Sequence, residues 1–112
     1  MKDQKQEDLF HLGNMLEAID AIEARLTLGF SEQVVKEAIV FHLMAIGEAV
    51  TKLSRELKQK HPEIPWSDIA GTRHKIVHEY YRIDYDVVEN IVYGQLTDLH
   101  RQVTTILAEL TP

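Results

Sequence analysis

The stretch Gly71-Thr-Arg-His-Lys-Ile-Val-His-Glu-Tyr-Tyr81 crowds an arginine, a lysine, two histidines and two tyrosines into one short segment. Arg73 supplies a permanent, planar cation suited to a phosphate, and His78 can accept or donate a proton near neutral pH. That pairing points to phosphodiester chemistry. RNA can be cleaved without a metal when its own 2′-hydroxyl attacks the phosphate. The reaction then needs a base for that hydroxyl, an acid for the leaving oxygen and positive charge at the phosphoryl group. Histidine and arginine cover those roles. His74 could act as a second proton carrier or hold the substrate, while Lys75 and Arg82 could add local positive charge.

On a continuous helix, residues five apart are separated by roughly 140° around the axis and about 7.5 Å along it. Arg73 and His78 of one chain would therefore flank a groove instead of forming a tight pair. If two such helices met across a twofold axis, two arginines and two histidines would converge on one composite cleft. The same residue types also suit a solvated helix face. His74 and His78, four apart, have the separation that lets two imidazoles share a zinc ion, with Glu79 adjacent. The metalloprotease pattern, however, has its glutamate directly after the first histidine, where Lys75 stands, and no third ligand is evident nearby. Neither a metal nor a cofactor is expected. His11, His42, His61 and His100 are scattered, and His42, on an apolar helix face, reads as a bonded core residue.

The elements that must position this stretch are helical. From about Asp3 to Leu28, Leu9, Leu12, Leu16, Ile19, Ile22 and Leu26 recur at three-and-four spacing. Gly29 supplies a stop and Ser31 an N-cap, so two antiparallel helices with a short connection are expected. The second runs from about Glu32 to Lys60 and carries Val35, Ile39, Leu43, Ile46, Val50, Leu53 and Leu57. Val34, Ala38, Phe41, Ala45 and Ala49 widen its stripe beyond what one neighbour needs, so either a central helix with two neighbours or pairing with a second copy follows. His61-Pro-Glu-Ile-Pro-Trp66 is a connector. Ser67 or Asp68 can cap a short helix through Ile69, Arg73, Ile76 and Val77 toward Tyr80, with Gly71 permitting close approach of a helix or ligand. Asp84 can cap a last helix on which Val88, Val92, Leu96, Leu99, Val103, Ile106 and Leu110 repeat. No alternating stretch is long enough for a convincing strand. The expected fold is all-α: one domain, 1–112, an antiparallel bundle of about four long or medium helices with a short motif-bearing helix before the last one.

Composition narrows the function classes. With 112 residues, 45% hydrophobic and 27% charged, the chain suits one globular core. A formal charge of −6 counts against an extended non-specific grip on nucleic acid, so any polyanion must be met locally. Without cysteine there is no disulfide framework and no thiolate chemistry. No apolar signal core and no long uncharged run are seen, so a soluble cytoplasmic protein without membrane contact is expected.

Four segments together resemble HepT-type toxins of the HEPN superfamily, which belong to prokaryotic toxin–antitoxin pairs. They are Ile46-Gly-Glu-Ala49, Pro62-Glu-Ile-Pro-Trp66, Gly71 to Tyr80 with its order of arginine, polar residue, three positions, histidine, one position and tyrosine, and Ile83-Asp-Tyr-Asp86. The resemblance covers most of the chain. It implies a homodimer whose two motif copies share one cleft and cleave transfer or messenger RNA without a metal, with no DNA expected as partner. It assigns Arg73 and His78 to catalysis and His74 to a helper role. It also makes Tyr80 the residue to which a minimal nucleotidyltransferase antitoxin of MntA type attaches AMP, with Tyr81 adjacent as an alternative acceptor. Added phosphate charge beside the cleft would silence the toxin. Glu48 could orient an arginine or histidine, or serve in a salt bridge. The rival class is a non-catalytic helical dimer that binds a nucleotidyltransferase partner or a nucleotide through its basic stretch.

Overall fold

Residues 3–78 and 82–111 are described by a computed structural model. Among them lie seven helices: α1 (Gln4–Leu26), α2 (Gln33–Lys52), α3 (Arg55–Lys60), α4 (Trp66–Ala70), α5 (Thr72–Ile76), α6 (Tyr85–Gly94) and α7 (Leu96–Leu110). Two short strands, β1 (Val77–His78) and β2 (Arg82–Ile83), pair antiparallel between α5 and α6. The all-α bundle expected from the periodicity is present, with α1, α2, α6 and α7 as its longer members and the motif segment before α6. None of these helices is long and apolar enough to cross a membrane.

α1 and α2 are joined at Gly29, whose φ of 99° lies in the left-handed region that glycine occupies without a Cβ clash. Ser31 is not the cap. Helix α2 starts one residue later, with Glu32 at the N-cap position and no side-chain cap bond. The core forms where the stripes of the long helices meet: Leu12, Met15, Ile19 and Ile22 from α1, Ile39, Leu43, Ile46 and Val50 from α2, Val88 and Val92 from α6, and Leu99, Val103 and Ile106 from α7. Ile76, at the end of α5, is fully buried with them.

The single long second helix expected to Lys60 is broken after Lys52. Ser54 adopts extended backbone and its hydroxyl caps α3 by accepting from the Leu57 N–H. Its own N–H and hydroxyl donate to the buried Asp8 carboxylate at 2.8 and 2.6 Å, and Lys58 Nζ donates to the Val50 carbonyl at the end of α2. The break is thus stabilised by a partner at the start of α1, which also establishes that α1 and α2 run antiparallel. Hydrogen bonds to a charged group contribute about 1.5–3 kcal/mol each, so Asp8→Ala is expected to cost about 2–3 kcal/mol. A lower urea midpoint with an unchanged slope is the corresponding observation.

The last helix also divides, at Gln95, between α6 and α7. Asp84 caps α6 as expected, its Oδ1 accepting from the Val87 N–H at 3.2 Å. The connector is anchored by the buried Trp66, whose Nε1–H donates to the His61 carbonyl at 2.9 Å. α4 begins at Trp66 with Pro65 at the N-cap position, so neither Ser67 nor Asp68 caps it. Proline suits this boundary because it needs no amide partner.

Candidate functional site

The motif does not lie on one helix. α4 and α5 meet at a bend on Gly71 (φ −86°, ψ 10°), and the chain leaves the helix at Val77 (φ −107°, ψ 112°). Ile76 and Val77 are both β-branched, which lowers the helical preference, and extension lets Val77 pair with Ile83 while the Asp84 N–H donates to the Ile76 carbonyl. His78 therefore sits on β1 directly opposite Arg82. The helical separation expected for Arg73 and His78 does not apply. Nor does the four-residue helical face that a zinc ion between His74 and His78 would need.

The close approach expected at Gly71 occurs instead at Gly47 of α2. A Cβ on Gly47 would stand 2.9 Å from the Ile69 carbonyl oxygen and 3.6 Å from both the Ala70 oxygen and Thr72 Cβ, whereas one on Gly71 would be no closer than 3.4 Å to its neighbours. The α4–α5 corner thus rests on bare α2 backbone. Thr72 is buried at that corner, its hydroxyl donating to the Ile69 carbonyl at 2.6 Å.

From this corner Arg73 projects as an exposed side chain over a shallow depression lined by Phe41, Met44, Ala45, Gly47, Glu48 and Ala70. Among the described residues, no carboxylate lies within 4 Å of it. Glu48 shares the depression, but its ion-pair partner is Lys52 at 3.7 Å, with both side chains exposed. Phe41 and Val34 lie seven apart on α2 and are 68% and 79% exposed, so they do not widen the stripe against their own chain. An apolar row faces outward and ends at Arg73.

A larger cavity of about 370 Å³ lies between α2, the α4–α5 corner and the α6–α7 junction, with Thr72 and Lys75 on its wall. Its rim carries Asp68 and Asp98, and Lys75 is engaged with Asp68 at 2.9 Å. Asp68 holds Lys75 and Asp98 holds Arg101 at 3.2 Å, so among the described residues this cavity presents no unpaired cation to a phosphate despite its size, and Lys75 is not a free cation for the site.

His78 is half exposed. Its Nε2 lies 3.3 Å from Asp84 Oδ2. The Val87 N–H bond to Asp84, assisted by His78, holds this carboxyl below its usual value against a smaller opposing effect of desolvation. Asp84 was expected only as a cap, since nothing in the sequence indicates that a capping carboxylate also faces the histidine. His74 is exposed on α5. His42 is not a bonded core residue: it is half-buried, without a hydrogen bond to the described residues, and burial together with the Arg25 cation lowers its pKa. Glu79, Tyr80 and Tyr81, including the expected AMP acceptor, lie outside the described residues.

Comparison with known proteins shows the family. The family described as Ribonuclease HepT-like matches residues 15–106. The chain is 38% identical over 76 residues to "Putative RNase TTE0752" of Caldanaerobacter subterraneus subsp. tengcongensis, covering 68% of each protein. It is 27% identical over 93 residues to "Putative RNase MJ1380" of Methanocaldococcus jannaschii, covering 80% of this chain and 85% of the relative. It is 36% identical over 62 residues to "Probable ribonuclease HepT" of Thermococcus cleftensis, covering 55% and 56%. No solved structure matches. With a match spanning most of its length and the Arg73 to His78 motif set on a helical bundle, the chain belongs to the HepT-like ribonuclease family.

Proposed function

We propose that the protein is a metal-independent endoribonuclease of HEPN type, acting on transfer or messenger RNA as the cytoplasmic toxin of a toxin–antitoxin pair. Arg73 carries the proposal: an exposed guanidinium stands at the edge of an outward-facing apolar row on α2, next to the segment that bears exposed His78. Burial of that row by a second copy would remove Val34 and Phe41 from water and bring two motif segments to one cleft. The homodimer is thus part of the same proposal.

In the composite cleft, the 2′-hydroxyl oxygen forms a bond to phosphorus as the bond from phosphorus to the 5′-oxygen breaks. His78 of one copy takes the 2′-hydroxyl proton. His78 of the second copy, as imidazolium, gives a proton to the departing 5′-oxygen. The Arg73 guanidinium neutralises the equatorial phosphoryl oxygens, where charge accumulates. His74, exposed beside Arg73, holds the substrate. The products are a 2′,3′-cyclic phosphate and a free 5′-hydroxyl. AMP attached to Tyr80 by a minimal nucleotidyltransferase would place a phosphate in competition for Arg73 and switch the site off.

The purified protein is expected to cut single-stranded RNA in the presence of a strong chelator and to leave cyclic phosphate ends. After co-expression with the nucleotidyltransferase, peptide mapping should find AMP on Tyr80 and cleavage should cease. Cleavage that appears only with added metal would remove the proposed chemistry. Stable binding of the nucleotidyltransferase without cleavage of any RNA would favour the non-catalytic dimer, which the charge of −6 also suits.

A further inference from the structure

Asp84 meets three groups at the base of α6. Its N–H donates to the Ile76 carbonyl at 2.8 Å, its Oδ1 accepts from the Val87 N–H at 3.2 Å, and its Oδ2 lies 3.3 Å from His78 Nε2. The first two fix the backbone and one carboxylate oxygen, so the direction of the other is fixed too. A carboxylate only accepts hydrogen bonds, and a neutral imidazole has one N–H and one bare nitrogen. The nitrogen facing Asp84 must therefore carry the hydrogen.

We propose that Asp84 is a positioning residue, which holds the neutral His78 ring as the Nε2–H tautomer and so keeps Nδ1 bare to take the 2′-hydroxyl proton of RNA. The role rests on the ribonuclease reading above. When the proton arrives on Nδ1 the ring becomes imidazolium, and Nε2–H remains bonded to Asp84. The titratable and charged groups on the adjoining elements are Arg82, directly opposite on β2, Asp86 in the first turn of α6, and Arg73, His74 and Lys75 on α5. The arginines and the lysine cannot accept from Nε2–H, and among the described residues His78 has no hydrogen bond to His74 or Asp86.

A capping role alone would make the same carboxylate necessary for folding, so the informative change is Asp84→Asn. Asparagine and aspartate cap helices about equally well. To keep the cap, the amide oxygen must stay on the Val87 N–H, which turns the NH₂ group toward His78. Nε2 must then accept, and the neutral ring moves its hydrogen to Nδ1. Asp84→Asn is expected to keep the melting temperature within a few degrees, to lower kcat about 10²-fold with KM nearly unchanged, and to switch the ring from Nε2–H to Nδ1–H. Long-range ¹H–¹⁵N correlation above the titration range of the imidazole reads the tautomer directly. Asp84→Ser keeps a capping oxygen but cannot reach the ring. It should give a mixture of tautomers, which provides the same test if the asparagine variant folds poorly. Unchanged kcat and an unchanged tautomer in both variants would overturn the assignment. A tautomer switch in a protein that cuts no RNA even as wild type would support the hold and overturn the ribonuclease reading.

Discussion

Alanine at either Arg73 or His78 is expected to reduce RNA cleavage by about 10²- to 10⁴-fold while leaving the helical content and melting temperature nearly unchanged. Both side chains are exposed, and exposed substitutions away from caps and cores usually shift stability by less than about 0.5 kcal/mol. Arg73 has its guanidinium over a depression and no carboxylate partner among the described residues, so its removal leaves no buried charge unpaired. His78→Ala leaves the cap of α6 in place, because Val87 is held by the other oxygen of Asp84. Single-turnover rates with excess enzyme, beside circular dichroism on the same samples, would separate chemistry from unfolding. Cleavage within a few fold of wild type in either variant would take that residue out of the mechanism. Lysine at position 73 should restore part of the activity, since it keeps the charge but lacks the planar fork.

Gly47→Ala should weaken both stability and activity. The added methyl carbon would stand 2.9 Å from a backbone oxygen at the α4–α5 corner, and no flexible side-chain end is there to give way. Overpacking of this kind typically costs about 1–3 kcal/mol. The alternative to that cost is a shift of the corner away from α2, which would move Arg73 with it. A misplacement of about 1 Å at a reacting group can lower a rate about 10²-fold, so the loss of cleavage should exceed what the unfolded fraction explains. Denaturant midpoints and rates measured well below the transition distinguish the two contributions. A variant as stable and active as wild type would mean that the corner does not need the glycine.

The parts of the fold that were legible in the sequence are those whose causes are local. The stripes of α1, α2 and α7, the left-handed turn at Gly29 and the cap at Asp84 each follow from residue types within a few positions. The break after Lys52 was hidden because Leu53 and Leu57 keep the apolar rhythm across it, while its stabilising partner, Asp8, is far away in sequence. The exit from helix at Val77 was hidden for a similar reason. A two-residue strand is too short to show alternation, and what favours it is pairing with Ile83. Val34 and Phe41 fit the helical period as well as their buried neighbours do, since period alone does not say which apolar residues the chain itself will cover. For the candidate site, the chemistry and order of Arg73 and His78 single them out in the sequence, and their roles are those proposed above. The contact of Asp84 with His78 depends on the backbone turning between β1 and α6, and the close approach at Gly47 on where α4 comes to rest.

Trp66 is the sole tryptophan of the chain, and it is buried where the connector enters α4, with its indole N–H committed to the His61 carbonyl. Its fluorescence is consequently a built-in optical gauge of how firmly the motif corner is seated. Emission should be blue-shifted while the corner lies on α2 and should move to the red when that docking loosens, with no label attached. The Gly47→Ala displacement can thus be followed in real time, and a corner that opens before the long helices melt would appear as an emission change preceding the loss of ellipticity.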